Sequence, residues 1–359
     1  MTATSVHLWP DSSAPRRIAI VRALQLGDLL VAVPAFRALR ACFPQAEVTL
    51  IGLPWAAAFA ARFSHYIDRF VVFPGWPGIA EAPADVERTR RFTAEQQAYG
   101  YDLVLQMHGS GAASNPFALA LGGKVTVGYV DGPEPTALTL SAPYPHTLHE
   151  ILRNLGLVRL LGCPEQGTRL EFPLTTDDHA EANALLAPLE NAYAPLVGIH
   201  AGARAPARRW PAESFAEVAD TLARRFGAHI ILTGGPGEQP IAAAVARAMR
   251  APALDLAGQT SLGGLAALLT RLDLFISNDS GPGHLAQAVD TPSVTIFGPA
   301  DPNRWAPLDR ERHQIVREPV ACSPCGYTDC PIDHRCLRRV SPAKALAAAQ
   351  GLLRKGAVA

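Results

Sequence analysis

Ser277-Asn-Asp-Ser-Gly-Pro-Gly-His284 gathers more chemistry-bearing groups than any other short stretch of the chain. Glycines at a helix start leave backbone N–H groups open to an anion, and here Asp279, Ser280 and Gly281 stand one turn ahead of His284. A turn alone favours Gly, Asn and Asp, but it does not call for Ser280 and His284 beside them. Thr233-Gly-Gly-Pro-Gly-Glu238 is a second glycine-rich stretch, ending in a carboxylate able to accept hydrogen bonds from ribose hydroxyls. A third pairs His200-Ala-Gly-Ala-Arg204 with Arg208-Arg-Trp-Pro211. Arginines beside a helix start suit a diphosphate, above all one departing with added negative charge. The competing reading makes them surface arginines, with Trp210 a core anchor.

Two earlier loops are simpler. In Arg22-Ala-Leu-Gln-Leu-Gly-Asp28, Gly27 permits a tight backbone and Asp28 stands at a helix start. Aspartate there is ordinarily an N-cap. The alternative is a carboxylate that takes a proton from an attacking hydroxyl. Gln106-Met-His-Gly-Ser-Gly111 has glycines, Gly109 among them, that would let backbone approach phosphate or sugar hydroxyls, with His108 either a wall residue or a sugar contact. Neither loop fits the G-x-G-x-x-G fingerprint, which argues against a nicotinamide dinucleotide.

Cys322-x2-Cys325-x4-Cys330-x5-Cys336 is spaced for a metal or a covalent clip. Tetrahedral zinc commonly uses two Cys-x2-Cys knuckles and only the first pair has that form, so structural zinc or iron, disulfides and free thiols all stay open. Cys42 and Cys163 lie far from these four, and no apolar leader precedes Arg17 to direct the chain to an oxidising compartment, so disulfides are not expected of them.

Loops of this kind need strands to aim them. Arg17–Arg22, Glu47–Ile51, Arg69–Phe73, Asp102–Met107 and Val125–Val127 are short apolar, β-branched runs separated by helical patterns, including a charged helix over Asp85–Tyr99. Strands separated by helices cross over and pair in parallel. From Gly128 to Pro145 the density of Gly and Pro reads as irregular chain, and a helical pattern resumes over Thr147–Leu161. A second strand-and-helix series opens at Leu196–His200 and continues through Ala212–Phe226, His229–Thr233, Ile241–Met249, Leu262–Leu272, Asp273–Ser277 and Ser293–Phe297. The expectation is an α/β chain of two doubly wound units, 1–172 and 173–341, with strand ends around one cleft. A last helix from Pro342 could cross back to brace the first unit.

With 359 residues, 48% hydrophobic, the chain can build two cores, and 32 basic against 32 acidic residues leave no net field to hold a nucleic-acid backbone. No run approaches the ~18 apolar residues of a spanning helix, so a cytoplasmic protein is expected. Arg88, Arg90 and Arg91 would allow peripheral contact with an inner-membrane surface, although a charge run is ordinarily a solvated face.

Taken together, Leu26-Gly-Asp-Leu-Leu30 with Pro34-Ala-Phe-Arg-Ala-Leu39, His200-Ala-Gly-Ala203, Arg209-Trp-Pro211, Gly234-Gly-Pro-Gly-Glu238 and Asn278-Asp-Ser-Gly-Pro-Gly-His-Leu-Ala286 resemble glycosyltransferase family 9, the ADP-heptose:lipopolysaccharide heptosyltransferases and their relatives. The resemblance covers most of the chain. It implies two Rossmann-like domains in the GT-B arrangement and an inverting transfer of heptose from ADP-heptose to a lipopolysaccharide core or related glycan, with no metal or other cofactor required. It makes Asp28 the catalytic base, with Gly27, His108 and Gly109 on the acceptor or sugar side. Gly202, Ala203, Arg204, Arg208, Glu238, Thr260, Asp279, Ser280, Gly281 and His284 become the donor-binding set. Glu238 matches the ribose-contacting acid, and Arg208 takes the place of a lysine usual in heptosyltransferases, keeping the charge but not the geometry. Cysteine-rich tails occur in several members without forming the catalytic site. The alternatives are a nucleotide-sugar epimerase of similar architecture, a transferase using another nucleotide sugar or acceptor, and a non-catalytic nucleotide-binding scaffold.

Overall fold

The computed structural model describes residues 14–132, 137–189 and 194–356. The chain divides between Arg169 and Leu170 into two compact units.

In the first unit, β1 (Arg17–Val21) leads through α1 (Leu26–Leu30) and α2 (Val33–Cys42) to β2 (Glu47–Gly52). Then come α3 (Ala56–Arg62), β3 (Arg69–Val72), α4 (Val86–Tyr99), β4 (Leu103–Gln106), α5 (Ser114–Ala120), β5 (Val125–Val130), β6 (Leu140–Pro143) and α6 (Glu150–Leu160). The strands form one parallel sheet in the order β3-β2-β1-β4-β5-β6. Ile18, Ala19, Ile20 and Val21 are fully buried, as a central parallel strand covered on both faces requires. The charged helix starts where the sequence placed it, with Asp85 Oδ1 accepting the Arg88 N–H at 2.7 Å.

Two expectations are corrected in this unit. The stretch 128–145 is not irregular throughout: β5 continues to Val130, and β6 adds an edge strand, where Pro143 costs no ladder bond on its unpaired side. Cys42 and Cys163 are disulfide-bonded, with Cα atoms 5.4 Å apart across 121 residues. The packing of α2 on α6 brings the two cysteines together, and nothing in their sequence spacing announces it.

The second unit opens with α7 (Thr176–Leu186) and continues with β7 (Leu196–His200), a single 3-10 turn over Pro206–Arg208, α8 (Ala212–Phe226), β8 (His229–Leu232), α9 (Gln239–Ala248) and β9 (Ala253–Asp255). It is completed by α10 (Leu262–Leu269), β10 (Leu274–Asn278), α11 (Gly281–Ala288), β11 (Ser293–Phe297), α12 (Pro302–Trp305), β12 (His313–Arg317), α13 (Arg335–Arg338) and α14 (Pro342–Gly356). Its parallel sheet runs β12-β11-β10-β7-β8-β9. The edge strands β9 and β12 escape the sequence reading because they are short and only partly buried. The last helix packs on α8 and along β10, β11 and β12, with Ala345, Ala349 and Leu352 in this unit's core.

Both sheets follow the same winding. In each, the chain runs outward from a first strand, returns, and continues on that strand's other side, so β1 neighbours β4 and β7 neighbours β10. At such a reversal the following loops leave in opposite directions and open a crevice at the carboxyl ends of the strands.

Candidate active site

The reversal point of the first unit carries Asp28 and His108, after β1 and β4. Asp28 is the third residue of α1 rather than its N-cap: Gln25 holds the cap position, and Asp28 Oδ2 accepts the Gln25 N–H at 3.2 Å. The capping side chain is half-buried. Gly27 beside it is buried.

His108 is held from its backbone. Its N–H donates to Gln106 Oε1 at 2.6 Å, while Gln106 Nε2 donates to Asn115 Oδ1, also at 2.6 Å. The ring is buried with Nε2 3.5 Å from Glu81 Oε2, and Nδ1 has no hydrogen-bond partner among the described residues. Gly109 follows at φ +66°, the left-handed backbone that glycine adopts without strain.

The second unit's reversal point assembles most of the residues expected to bind the donor. Asn278, fully buried, accepts the Trp210 N–H at 3.0 Å on Oδ1 and donates from Nδ2 to the Ala201 carbonyl at 2.8 Å. One amide thus pins both ends of the loop bearing Gly202, Ala203, Arg204 and Arg208. Within the loop, Arg209 Nε donates to the Ala203 carbonyl at 2.8 Å. Arg208 Nη1 reaches Asp279 Oδ2 at 3.1 Å; 40% of the arginine side chain stays exposed against 5% of the aspartate's. Arg204 is exposed, and Trp210 is a core anchor, its Nε1–H donating to the Val340 carbonyl at 3.1 Å.

After Asp279, α11 begins at Gly281 with Ser280 as N-cap and no side-chain cap on its first-turn N–H groups. A helix end of this kind presents partial positive charge. Asp279, Ser280, Gly283 and His284 line a shallow pocket with Trp305, and the His284 and Trp305 rings lie 6.1 Å apart.

Glu238 precedes α9. Its Oε2 accepts the Gly235 N–H at 2.7 Å and lies 3.3 Å from His200 Nε2. The His200 hydrogen bond, aided by the Gly235 N–H, holds the carboxyl below the usual glutamate range against the opposing effect of burial. Behind it His200 Nδ1 meets Thr233 Oγ1 at 3.1 Å. Thr260 is half-buried in the loop after β9, the strand at the sheet's edge, whereas the other donor-set residues follow β7, β8 and β10.

The combined chemistry is a cation and a helix N-terminus for a diphosphate, a carboxylate for vicinal hydroxyls, and a separate carboxylate on the other unit. A family model for glycosyltransferase family 9 (heptosyltransferase) matches residues 89–335. The chain belongs to glycosyltransferase family 9. Among relatives, lipooligosaccharide heptosyltransferase 2 of Campylobacter jejuni is 32% identical over 166 residues, which are 44% of this chain and 51% of that protein. The matched stretch thus spans about half that relative's length. Two solved structures share the fold. One is a glycosyl transferase family 9 protein from Veillonella parvula, with a TM-score of 0.78 at 22% identity, covering 95% of this chain and 98% of that one. The other is E. coli ADP-heptose lps heptosyltransferase II, with a TM-score of 0.74 at 19% identity, covering 95% and 99%.

In this family 9 chain the four cysteines of 322–336 belong to the second unit. Cys322, Cys325, Cys330 and Cys336 line one pocket with Tyr327 and Arg335, and all four are free thiols. Among the described residues, no three His, Cys, Asp or Glu side chains are grouped so as to hold a metal ion. The segment touches the loop bearing Arg208 through the Ala207 N–H, which donates to the Thr328 carbonyl at 2.9 Å.

Sequence reasoning missed Arg22, Asn154 and Glu81 in the first unit, and the supporting roles of His200 and Asn278 in the second. A charge at the end of an apolar strand was the available signal for Arg22. Glu81 follows an irregular turn and offered none. Two of the arginines considered for a membrane surface are engaged locally: Arg88 donates to the Pro74 and Pro83 carbonyls at 2.7 and 2.6 Å, and Arg90 pairs with Glu87 at 2.9 Å. No helix among the described residues is long and apolar enough to cross a membrane.

Proposed function

We propose that this chain is an inverting, metal-independent glycosyltransferase that moves a heptose from ADP-heptose to a lipopolysaccharide core or related glycan acceptor, working in the cytoplasm. The observation that carries the reading is the pairing of Arg208 with buried Asp279 beside the uncapped start of α11. Departure of ADP concentrates negative charge on the diphosphate, and a half-exposed guanidinium with a helix N-terminus stabilises that charge as it grows. The name of the E. coli relative, an ADP-heptose lps heptosyltransferase, supports the donor.

Asp28 is the base in this reading. Its carboxylate takes the proton from the acceptor hydroxyl as the oxygen attacks the anomeric carbon. The carbon–oxygen bond to the diphosphate breaks in the same displacement, so configuration inverts. Glu238, ionised and fixed by His200 and Gly235, accepts hydrogen bonds from the ribose hydroxyls. Gly27, Gly109 and His108 face the acceptor or sugar. Thr260 completes the donor-binding set.

No step passes through a metal. The four thiols of 322–336 converge on one pocket but do not form a three-ligand group, so the residues as arranged do not fit a zinc or iron ion.

The test is incubation with ADP-heptose, with and without a heptose-accepting core glycan, in the presence of a chelator. ADP release and a glycan heavier by one heptose, only when acceptor is present, are expected. Conversion of the donor sugar without acceptor contradicts transfer and indicates an epimerase; dependence on added divalent ion contradicts metal independence.

A further inference from the structure

Arg22 is a charged residue directly after the buried run Ile18–Val21, and it is only 3% exposed. Its guanidinium serves three elements. Nε–H donates to the Asp28 carbonyl at 2.9 Å, and Nη1 donates to the Met107 carbonyl and to Asn154 Oδ1, the latter at 3.1 Å. Asn154, on α6, in turn donates from Nδ2 to the Val31 carbonyl at 3.3 Å. Val31 is the C-cap of α1. The helix carrying Asp28 has five residues, too few to hold itself in water. It is gripped at two carbonyls, one at Asp28 and one at its end, by a single arginine–asparagine pair. The Met107 carbonyl extends the same grip to the backbone just before His108.

We propose that Arg22 is a positioning residue for the transfer reaction: with Asn154 it fixes α1, and so holds Asp28 in place when the acceptor hydroxyl arrives. The inference rests on Asp28 being the base. The charged and titratable neighbours are Asp28 on α1, Glu150 and Arg153 on α6, and Tyr144 after β6. Burial pushes the Arg22 guanidinium down, and Asp28, then Glu150, act against that. Glu150 is itself paired with Arg153.

Three variants of the full chain test the grip: Arg22→Met, Arg22→Lys and Asn154→Leu, each assayed for kcat and KM, with ADP binding as the check on folding. Asn154→Leu should lose roughly tenfold or more in kcat with KM changed less. Arg22→Met should lose on the order of a hundredfold in kcat, again with KM changed less. Arg22→Lys should recover part of the rate but not all of it. An Arg22→Met protein that binds ADP and keeps the wild-type kcat overturns the positioning role. If Arg22→Met does not fold, wild-type kcat in both Arg22→Lys and Asn154→Leu overturns the proposal. Failure of the base assignment is told apart by Asp28→Asn, whose loss of turnover beside unaffected Arg22 and Asn154 variants defeats the positioning role alone.

Discussion

Gly202 lies directly against the carboxylate of Glu238: a methyl group on its Cα would stand 2.3 Å from Oε1 and 2.6 Å from Oε2. Neither distance is tolerable, so Gly202→Ala must push Glu238 away from the Gly235 N–H and His200. The expected outcome is a donor KM raised about tenfold or more, about 1.4 kcal/mol of lost binding, with kcat changed less. Steady-state kinetics with varied ADP-heptose checks this; an unchanged KM removes Glu238 from donor recognition.

Arg208 and Asp279 make a second prediction. Arg208→Ala removes the proposed leaving-group cation and leaves a buried carboxylate without that partner, whereas Arg208→Lys keeps the charge and loses the planar fork. Turnover should fall on the order of 10²-fold in the alanine variant and less in the lysine variant. Adding Asp279→Asn to Arg208→Ala should recover thermal stability but not rate. Recovery of both would mean that the pair is only structural.

Acid titration offers a third. The Glu238 carboxyl is held below its ordinary range in the folded chain, chiefly by the His200 hydrogen bond. Its contribution to stability is therefore full above the unfolded glutamate value of about 4.3, and it is lost as pH falls through the lower folded value. In His200→Gln that depression largely disappears. Melting curves of wild type and His200→Gln should differ most above about pH 5 and converge on acidification; a gap that widens toward low pH contradicts the pairing.

Thiol counting provides a fourth. Cys42 and Cys163 are bonded and Cys322, Cys325, Cys330 and Cys336 are free. An aromatic disulfide reagent should titrate four thiols in the unfolded, unreduced protein and six after reduction. Reduction should lower the first unit's stability by roughly 2–4 kcal/mol. Six thiols before reduction would show that the bond does not form.

Much of the site is legible in the amino-acid sequence because its residues are small or polar where an apolar strand stops. Gly27–Asp28, His108–Gly109, Gly202–Arg204 and Asp279–Gly281 all announce strand ends, and the winding of each sheet then brings β1 beside β4 and β7 beside β10. What is not legible depends on packing between distant segments. Arg22 looks like a surface charge until Asn154, 132 residues later, is folded against it. The Cys42–Cys163 bond needs α2 against α6, and β6 is masked by proline and glycine that an edge strand tolerates. Asp28 shows a further limit: cap and base look like rival roles, yet the capping hydrogen bond from Gln25 leaves the side chain half-buried rather than sealed.

The base assignment carries the most weight, and Asp28→Asn tests it most directly. The substitution keeps the size of the side chain and an oxygen that can still accept the Gln25 N–H, so folding and ADP affinity should stay at wild-type levels. Transfer of heptose, followed by mass of the glycan product, should fall by about 10²–10⁴-fold. A variant that binds ADP normally and still transfers at the wild-type rate would contradict the account.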